Sequence, residues 1–231
     1  MTATQSAPQL TTQSTSDLPA QRRGGRGRFD VRRATAIALP ALTGVLLVAA
    51  TATDPGAGND GKEMIRVYAE QVDLLQWHMA FLHWSYGLWG LIPLALVGLV
   101  KGRGRMLMNA AVVLGVFAAI NMPSLMISDM FFAGIANHLD VDTSDAIGKE
   151  IHAEQWALLT YLPPGIVGMF LSLPLAFAAL VRAGRAKWWA IVVALLVFPA
   201  FGMTGALLWS SIVAGALFVG LSVIVARATR R

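Results

Sequence analysis

Cysteine is absent from the 231 residues, which removes disulfides, thiolate ligands and iron–sulfur clusters from consideration. Charge is scarce as well: Asp, Glu, Lys and Arg make up 13% of the chain against 56% hydrophobic residues. No phosphate-cradling glycine loop, Walker motif or Ser/His/Asp arrangement is present, so ATP-driven transport by this chain and hydrolase chemistry lack support. Formal charge is missing altogether from the long apolar runs. Ion-coupled carriers usually need an intramembrane carboxylate, a basic group or a broken helix, so a proton-coupled carrier is disfavoured.

What is present is a series of apolar runs at 34–53, 78–100, 106–127, 157–181 and 188–226. Each of the first four is long enough to cross a bilayer once. The last is about 39 residues, roughly 58 Å as a helix, and divides best into two short spans near Gly202-Met203-Thr204-Gly205. The expected fold is therefore all-α: a polytopic membrane protein with six transmembrane helices.

The charges between the runs set an orientation. Arg22, Arg23, Arg26, Arg28, Arg32 and Arg33 precede the first run. Lys101, Arg103 and Arg105, then Arg182, Arg185 and Lys187, then Arg227, Arg230 and Arg231 follow alternate later ones. The intervening segments hold Asp54, Asp60, Glu63, Glu70, Asp73, Asp129, Asp140, Asp142, Asp145, Glu150 and Glu154, with only Lys62, Arg66 and Lys149 as basic company. The positive-inside rule makes the basic segments and both termini cytoplasmic, in the plasma (cytoplasmic) membrane. Trp77, Trp156, Trp188 and Trp189 then fall where interfacial aromatics belong.

Residues 1–28 are rich in Thr, Ser, Gln, Ala and Pro and read as a disordered cytoplasmic tail, leaving 29–231 as the membrane domain. The juxtamembrane arginines hold topology and touch anionic lipid; no nucleic-acid partner is expected. The first run is too long, and Thr53-Asp54-Pro55-Gly56 too unlike a small-x-small site, for a cleaved signal peptide.

The second half echoes the first. With Gly87 placed on Gly168, Pro93-Leu94-Ala95 matches Pro174-Leu175-Ala176, Leu99-Val100 matches Leu180-Val181, Phe117 matches Phe198 and Met122 matches Met203. Upstream, Gln76-Trp77 pairs with Gln155-Trp156 after a two-residue shift. The pattern predicts an internal parallel duplication of a two-helix hairpin, within 70–127 and 149–208, about an axis along the membrane normal.

The four histidines, His78, His83, His138 and His152, all lie toward the acidic side. His83 is about six residues beyond Trp77, roughly 9 Å deeper, and a polar side chain there is a functional candidate by default. Met122 and Met126, continued by Met130, recur every four residues as a stripe. Imidazoles suit divalent metals and thioethers suit Cu(I), so His78, His83, His152, Met122 and Met126 form a candidate site for copper or another transition metal. The competing account of each is ordinary: a hydrogen-bonded imidazole, a gap-filling methionine. His83 and His152 differ by about ten residues, near 15 Å in height, which makes a bis-histidine haem the lesser option. Asp140-Val-Asp142-Thr-Ser-Asp145 is acidic like a calcium loop but lacks the Gly at its sixth place and the Glu at its twelfth.

Three functions follow from these residues: a protein with an outward-facing metal or small-ligand, redox-type pocket between its repeats; a small-solute permease or channel; or an accessory or assembly subunit whose helices pack on a membrane-protein partner or a second copy.

Overall fold

The computed structural model describes residues 30–155, 162–202 and 207–230. Among them every regular element is helical and there is no strand. The elements are α1 (Val31–Ala52), α2 (Gly61–Glu70), α3 (Val72–Leu96), α4 (Arg105–Asn121), α5 (Leu125–His138), α6 (Val141–Ala153), α7 (Leu162–Arg182), α8 (Trp189–Gly202) and α9 (Leu208–Ala228). The expected tail, 1–28, lies outside the described residues, as do Trp156 and Met203.

Five stretches are long and apolar enough to cross a membrane: Val31–Ala52, Val72–Leu99, Arg105–His138, Pro163–Arg182 and Leu208–Ala228. The chain is thus a multi-pass helical protein of membrane type. The sixth expected span corresponds to α8, apolar throughout but only 14 residues long. At 1.5 Å per residue it reaches about 21 Å, short of a full hydrocarbon crossing.

Six helices close a ring in which α1, α3, α4, α7, α8 and α9 each pack on the next, and α9 returns to α1. Helix α3 also reaches inward: its Trp89 ring meets Phe218 of α9 edge-on at 4.8 Å, and its Tyr86 ring meets Phe201 of α8 at 6.2 Å. Trp89, Phe177 and Phe218 are fully buried and fill the middle. The outer faces carry Leu42, Val45, Val113, Val116, Val192, Leu196, Val219 and Val223, all exposed. A contiguous apolar belt of this size would make a water-soluble monomer aggregate; against acyl chains it is the expected surface.

Close approach, rather than hydrophobic burial, holds helices together in lipid, and small residues permit it. A Cβ at Gly90 of α3 would lie 2.3 Å from the Gly115 carbonyl oxygen of α4, and one at Gly168 of α7 would lie 2.4 Å from that of Leu114. Helix α4 is therefore gripped on two sides at the same height. Gly44 and Gly215 make the equivalent crossing between α1 and α9, where a Cβ on Gly44 would come within 2.9 Å of the Gly215 carbonyl oxygen. Hydroxyls complete the seams. Ser85 donates to the Thr43 carbonyl at 3.0 Å, Thr51 and Ser211 share a 2.7 Å bond, and Ser222 donates to the Ile37 carbonyl.

The third apolar run extends further than 106–127. Its helix passes through a tight turn at Met122–Ser124 and continues as α5 to His138. Pro123 breaks the hydrogen-bond ladder, and the Asn121 amide donates to the Phe117 carbonyl one turn back at 2.8 Å. Helix α2 is not a continuation of α3, because the backbone breaks at Gln71 (φ −123°, ψ 47°). It packs on α5 and α6 instead, and the three short helices form a cap over the acidic end of the ring.

Candidate functional site at the acidic end of the bundle

The cap is pinned by the acids that crowd its sequence. Asp140 caps α6, accepting from the Thr143 backbone N–H at 2.7 Å and its hydroxyl at 2.8 Å, and these bonds hold its carboxyl below the usual range. Lys62 of α2 reaches Asp142 of α6 at 2.5 Å; this hydrogen bond, then the charge of Asp142, raises the lysine. Lys149 pairs with Asp145 one turn earlier at 2.7 Å. The 140–145 segment is spent on capping and ion pairing.

Beneath the cap lies a different set. Asp54 follows α1 in a turn where one carboxylate oxygen accepts the Gly56 N–H at 2.9 Å and the Tyr68 hydroxyl at 3.3 Å. Its other oxygen lies 4.0 Å from Nε2 of His78, and neither side chain is more than about a tenth exposed (Asp54 11%, His78 7%). Nδ1 of His78 is 2.7 Å from the Ala50 carbonyl, so it carries the proton and donates, leaving Nε2 facing Asp54. The Tyr68 and His78 rings are 6.5 Å apart. Burial, then the charges of Asp54 and Asp129, hold the Tyr68 phenol well above its ordinary value. Asp129 lies on α5, the helix on which α2 packs.

Three groups from α1's end, α2 and α3 meet here, a carboxylate, a phenol and an imidazole, and the charge of Asp129 on α5 reaches the phenol. None of the ion pairs formed among the described residues supplies Lys or Arg to Asp54 or Asp129.

The five residues singled out as metal ligands meet different surroundings. His78 belongs to the cluster just described. His83 is exposed on the flank of α3, with Nδ1 3.4 Å from the Pro123 carbonyl, beside a groove of about 350 Å³ lined by Trp84, Gly87, Leu88, Ile120 and Ser124. His152 is exposed at the end of α6, its ring 5.9 Å from that of Phe132. Met122 and Met126 are buried; a Cβ on Gly165 of α7 would meet the Met122 sulfur at 2.8 Å, which places that thioether as packing between α4 and α7. Among the described residues no three His, Asp or Glu side chains are grouped to hold a metal ion.

Asp54, Tyr68 and Asp129 were not distinguishable in the sequence as site residues. Asp54 is one of eleven acids on its side, and Tyr68 and Asp129 meet it only through the break at Gln71 that turns α2 onto α5. The one signal was Asp129 itself, three residues after Met126 in an apolar helix.

Comparison with protein-family models, curated proteins and solved structures finds no match.

Proposed function

We propose that this multi-pass protein crosses the membrane six times with both ends on the cytoplasmic side, and binds a small cation or exchanges protons at its outward, capped end through Asp54, Tyr68, His78 and Asp129. The observation that carries the reading is Asp54, largely buried against the Tyr68 hydroxyl and His78 with no Lys or Arg partner among the described residues, while the charge of a second carboxylate, Asp129, reaches the same phenol. Uncompensated like charges in a low-dielectric site are costly unless a proton or another cation joins them. Packing alone would favour apolar residues there.

The six-span topology is supported by α8 packing along both α7 and α9, and by the charge alternation, which puts Arg227 and Arg230 with Arg32 and Arg33. Helices α3–α4 and α7–α8 read as the two copies of a duplicated hairpin, each with a proline inside its first helix, Pro93 and Pro174. A filled centre at Trp89, Phe177 and Phe218 favours a binding protein over an open channel. The oxygen atoms of Asp54 and Tyr68 suit a monovalent or organic cation better than copper.

The test uses the full-length protein in detergent, with thermal unfolding followed in Na⁺, K⁺ and a series of alkylammonium salts against a matched ionic strength, and again across pH 5–8. One cation, or the proton, should raise Tm by several degrees in the parent and not in Asp54→Asn or Asp129→Asn. No cation- or pH-specific shift, or an equal shift in the two variants, would overturn the reading.

A further inference from the structure

At the opposite, basic end a cavity of about 580 Å³ opens between the first turn of α1, the end of α3 and Thr229 after α9. The 3₁₀ turn at Val97–Leu99 lines it, and the space beside Gly98 is open: a Cβ built there meets nothing within 4 Å. One wall is apolar, with Leu94 and Val97 exposed to it. The rim is basic. Arg32 and Arg33 line it, and Nε of Arg33 donates to the Thr229 hydroxyl at 3.1 Å, a bond that orients the guanidinium and leaves its two terminal nitrogens for another acceptor. Among the described residues the one carboxylate on the rim, Asp30, is engaged as the cap of α1, accepting the Arg33 backbone N–H at 3.3 Å.

We infer that this cavity binds an anionic glycerophospholipid of the cytoplasmic leaflet, the phosphate held by Arg32 and Arg33 and an acyl chain lying on Leu94 and Val97. The inference uses the orientation proposed above and is independent of the capped acidic site. Two arginines offset by Asp30 leave one net positive charge for the single negative charge of a phosphodiester, and the planar fork of Arg33 matches it in shape. The height fits: α1 begins at Val31 and the third element's span ends at Leu99, so the arginines stand at the limit of the hydrocarbon and the apolar wall within it. Basic pockets between helices on the cytoplasmic side are where anionic headgroups are retained. A free phosphate would use the arginines but leave the apolar wall exposed.

The full-length protein, delipidated in a neutral detergent, is titrated with phosphatidylglycerol, phosphatidylcholine and inorganic phosphate while thermal unfolding is followed. Phosphatidylglycerol should raise Tm saturably, with phosphatidylcholine and phosphate at the same concentrations giving little. Arg32→Gln and Arg33→Gln should each weaken the apparent affinity for phosphatidylglycerol about tenfold, and Gly98→Phe, which fills the cavity and touches no charge, should abolish the saturable shift. If Arg33→Gln fails to fold for want of its Thr229 contact, Arg32→Gln and Gly98→Phe still decide. Equal shifts from both lipids, a full shift from phosphate alone, or a phosphatidylglycerol response unchanged in Gly98→Phe would each overturn the assignment. Labelling the cavity with impermeant reagents at Thr35→Cys distinguishes a wrong leaflet from a failed site.

Discussion

A hydroxyl between membrane helices stabilises the bundle only when a carbonyl accepts its proton, and the two buried serines on α3 and α7 differ in this. Ser85 donates to the Thr43 carbonyl at 3.0 Å, whereas Ser172 is fully buried without a hydrogen-bond partner among the described residues. Removing a satisfied hydroxyl forfeits about 1 kcal/mol, and removing an orphaned one relieves a desolvation cost of similar size. Ser85→Ala should therefore lower, and Ser172→Ala raise or leave unchanged, the free energy of unfolding in mixed micelles; destabilisation by both would show that Ser172 has a partner. Tyr68 gives a pH-dependent test at the same scale. Its phenol titrates higher in the folded protein than in the unfolded chain, first because it is buried and then because of the charges of Asp54 and Asp129. Such a group contributes stability that is complete below the unfolded value, near 10, and is lost as pH rises above it. Between pH 10 and 11.5 the parent should lose stability more steeply than Tyr68→Phe, by up to about 1.4 kcal/mol per pH unit. Parallel declines would mean that the phenol is not held neutral.

At the level of helices, the glycines on α3 and α7 decide how closely α4 can be held. A side chain at Gly90 would collide with the backbone of Gly115 and Ala119, which cannot yield as a flexible side chain could. Gly90→Leu should cost about 3 kcal/mol or more, or prevent folding, as overpacked cores do. Gly220, inside α9 with nothing within 4 Å of a Cβ, is the control: Gly220→Ala should stabilise by about 0.5–1 kcal/mol through helix propensity alone. Thermal unfolding of the two variants separates packing from backbone effects, and tolerance of Gly90→Leu would mean that α3 and α4 stand further apart. The apolar runs that become α1, α3, α4 and α7 were legible in the sequence, because each follows from the composition of one segment. The break at Gln71 was not. It carries neither glycine nor proline, and it arises because α2, whose Ile65 and Tyr68 are buried, packs on α5 and α6 instead of extending α3. With that break unread, Tyr68 could not be brought to Asp54, and the candidates the sequence offered were the histidines and methionines.

Over the whole molecule, the dominant signal is the segregation of charge between the two ends of an apolar bundle, and it needed no tertiary information. Spans at α1, α3, α4 and α7 follow from run length alone, since a continuous helix is the only open-ended way to satisfy backbone groups in hydrocarbon. The 188–226 run is the exception, because α8 is about 21 Å long and its crossing depends on how its neighbours tilt and on the residues that join it to α9. The cysteine-free sequence makes the question directly testable. Single cysteines at exposed positions Ala57 and Glu150 on the acidic side, and Lys101, Lys187 and Arg230 on the basic side, sample four connections and the segment after α9. In intact cells an impermeant maleimide should label Ala57→Cys and Glu150→Cys, and the other three only after the membrane is permeabilised. Labelling of Arg230→Cys from outside, with Lys101→Cys and Lys187→Cys protected, would give five crossings, with α8 lying short of the far interface. Labelling of Lys101→Cys from outside would invert the orientation and move the capped Asp54–Asp129 site to the cytoplasm, where the cation it meets, and the pH it senses, would be those of the cell interior.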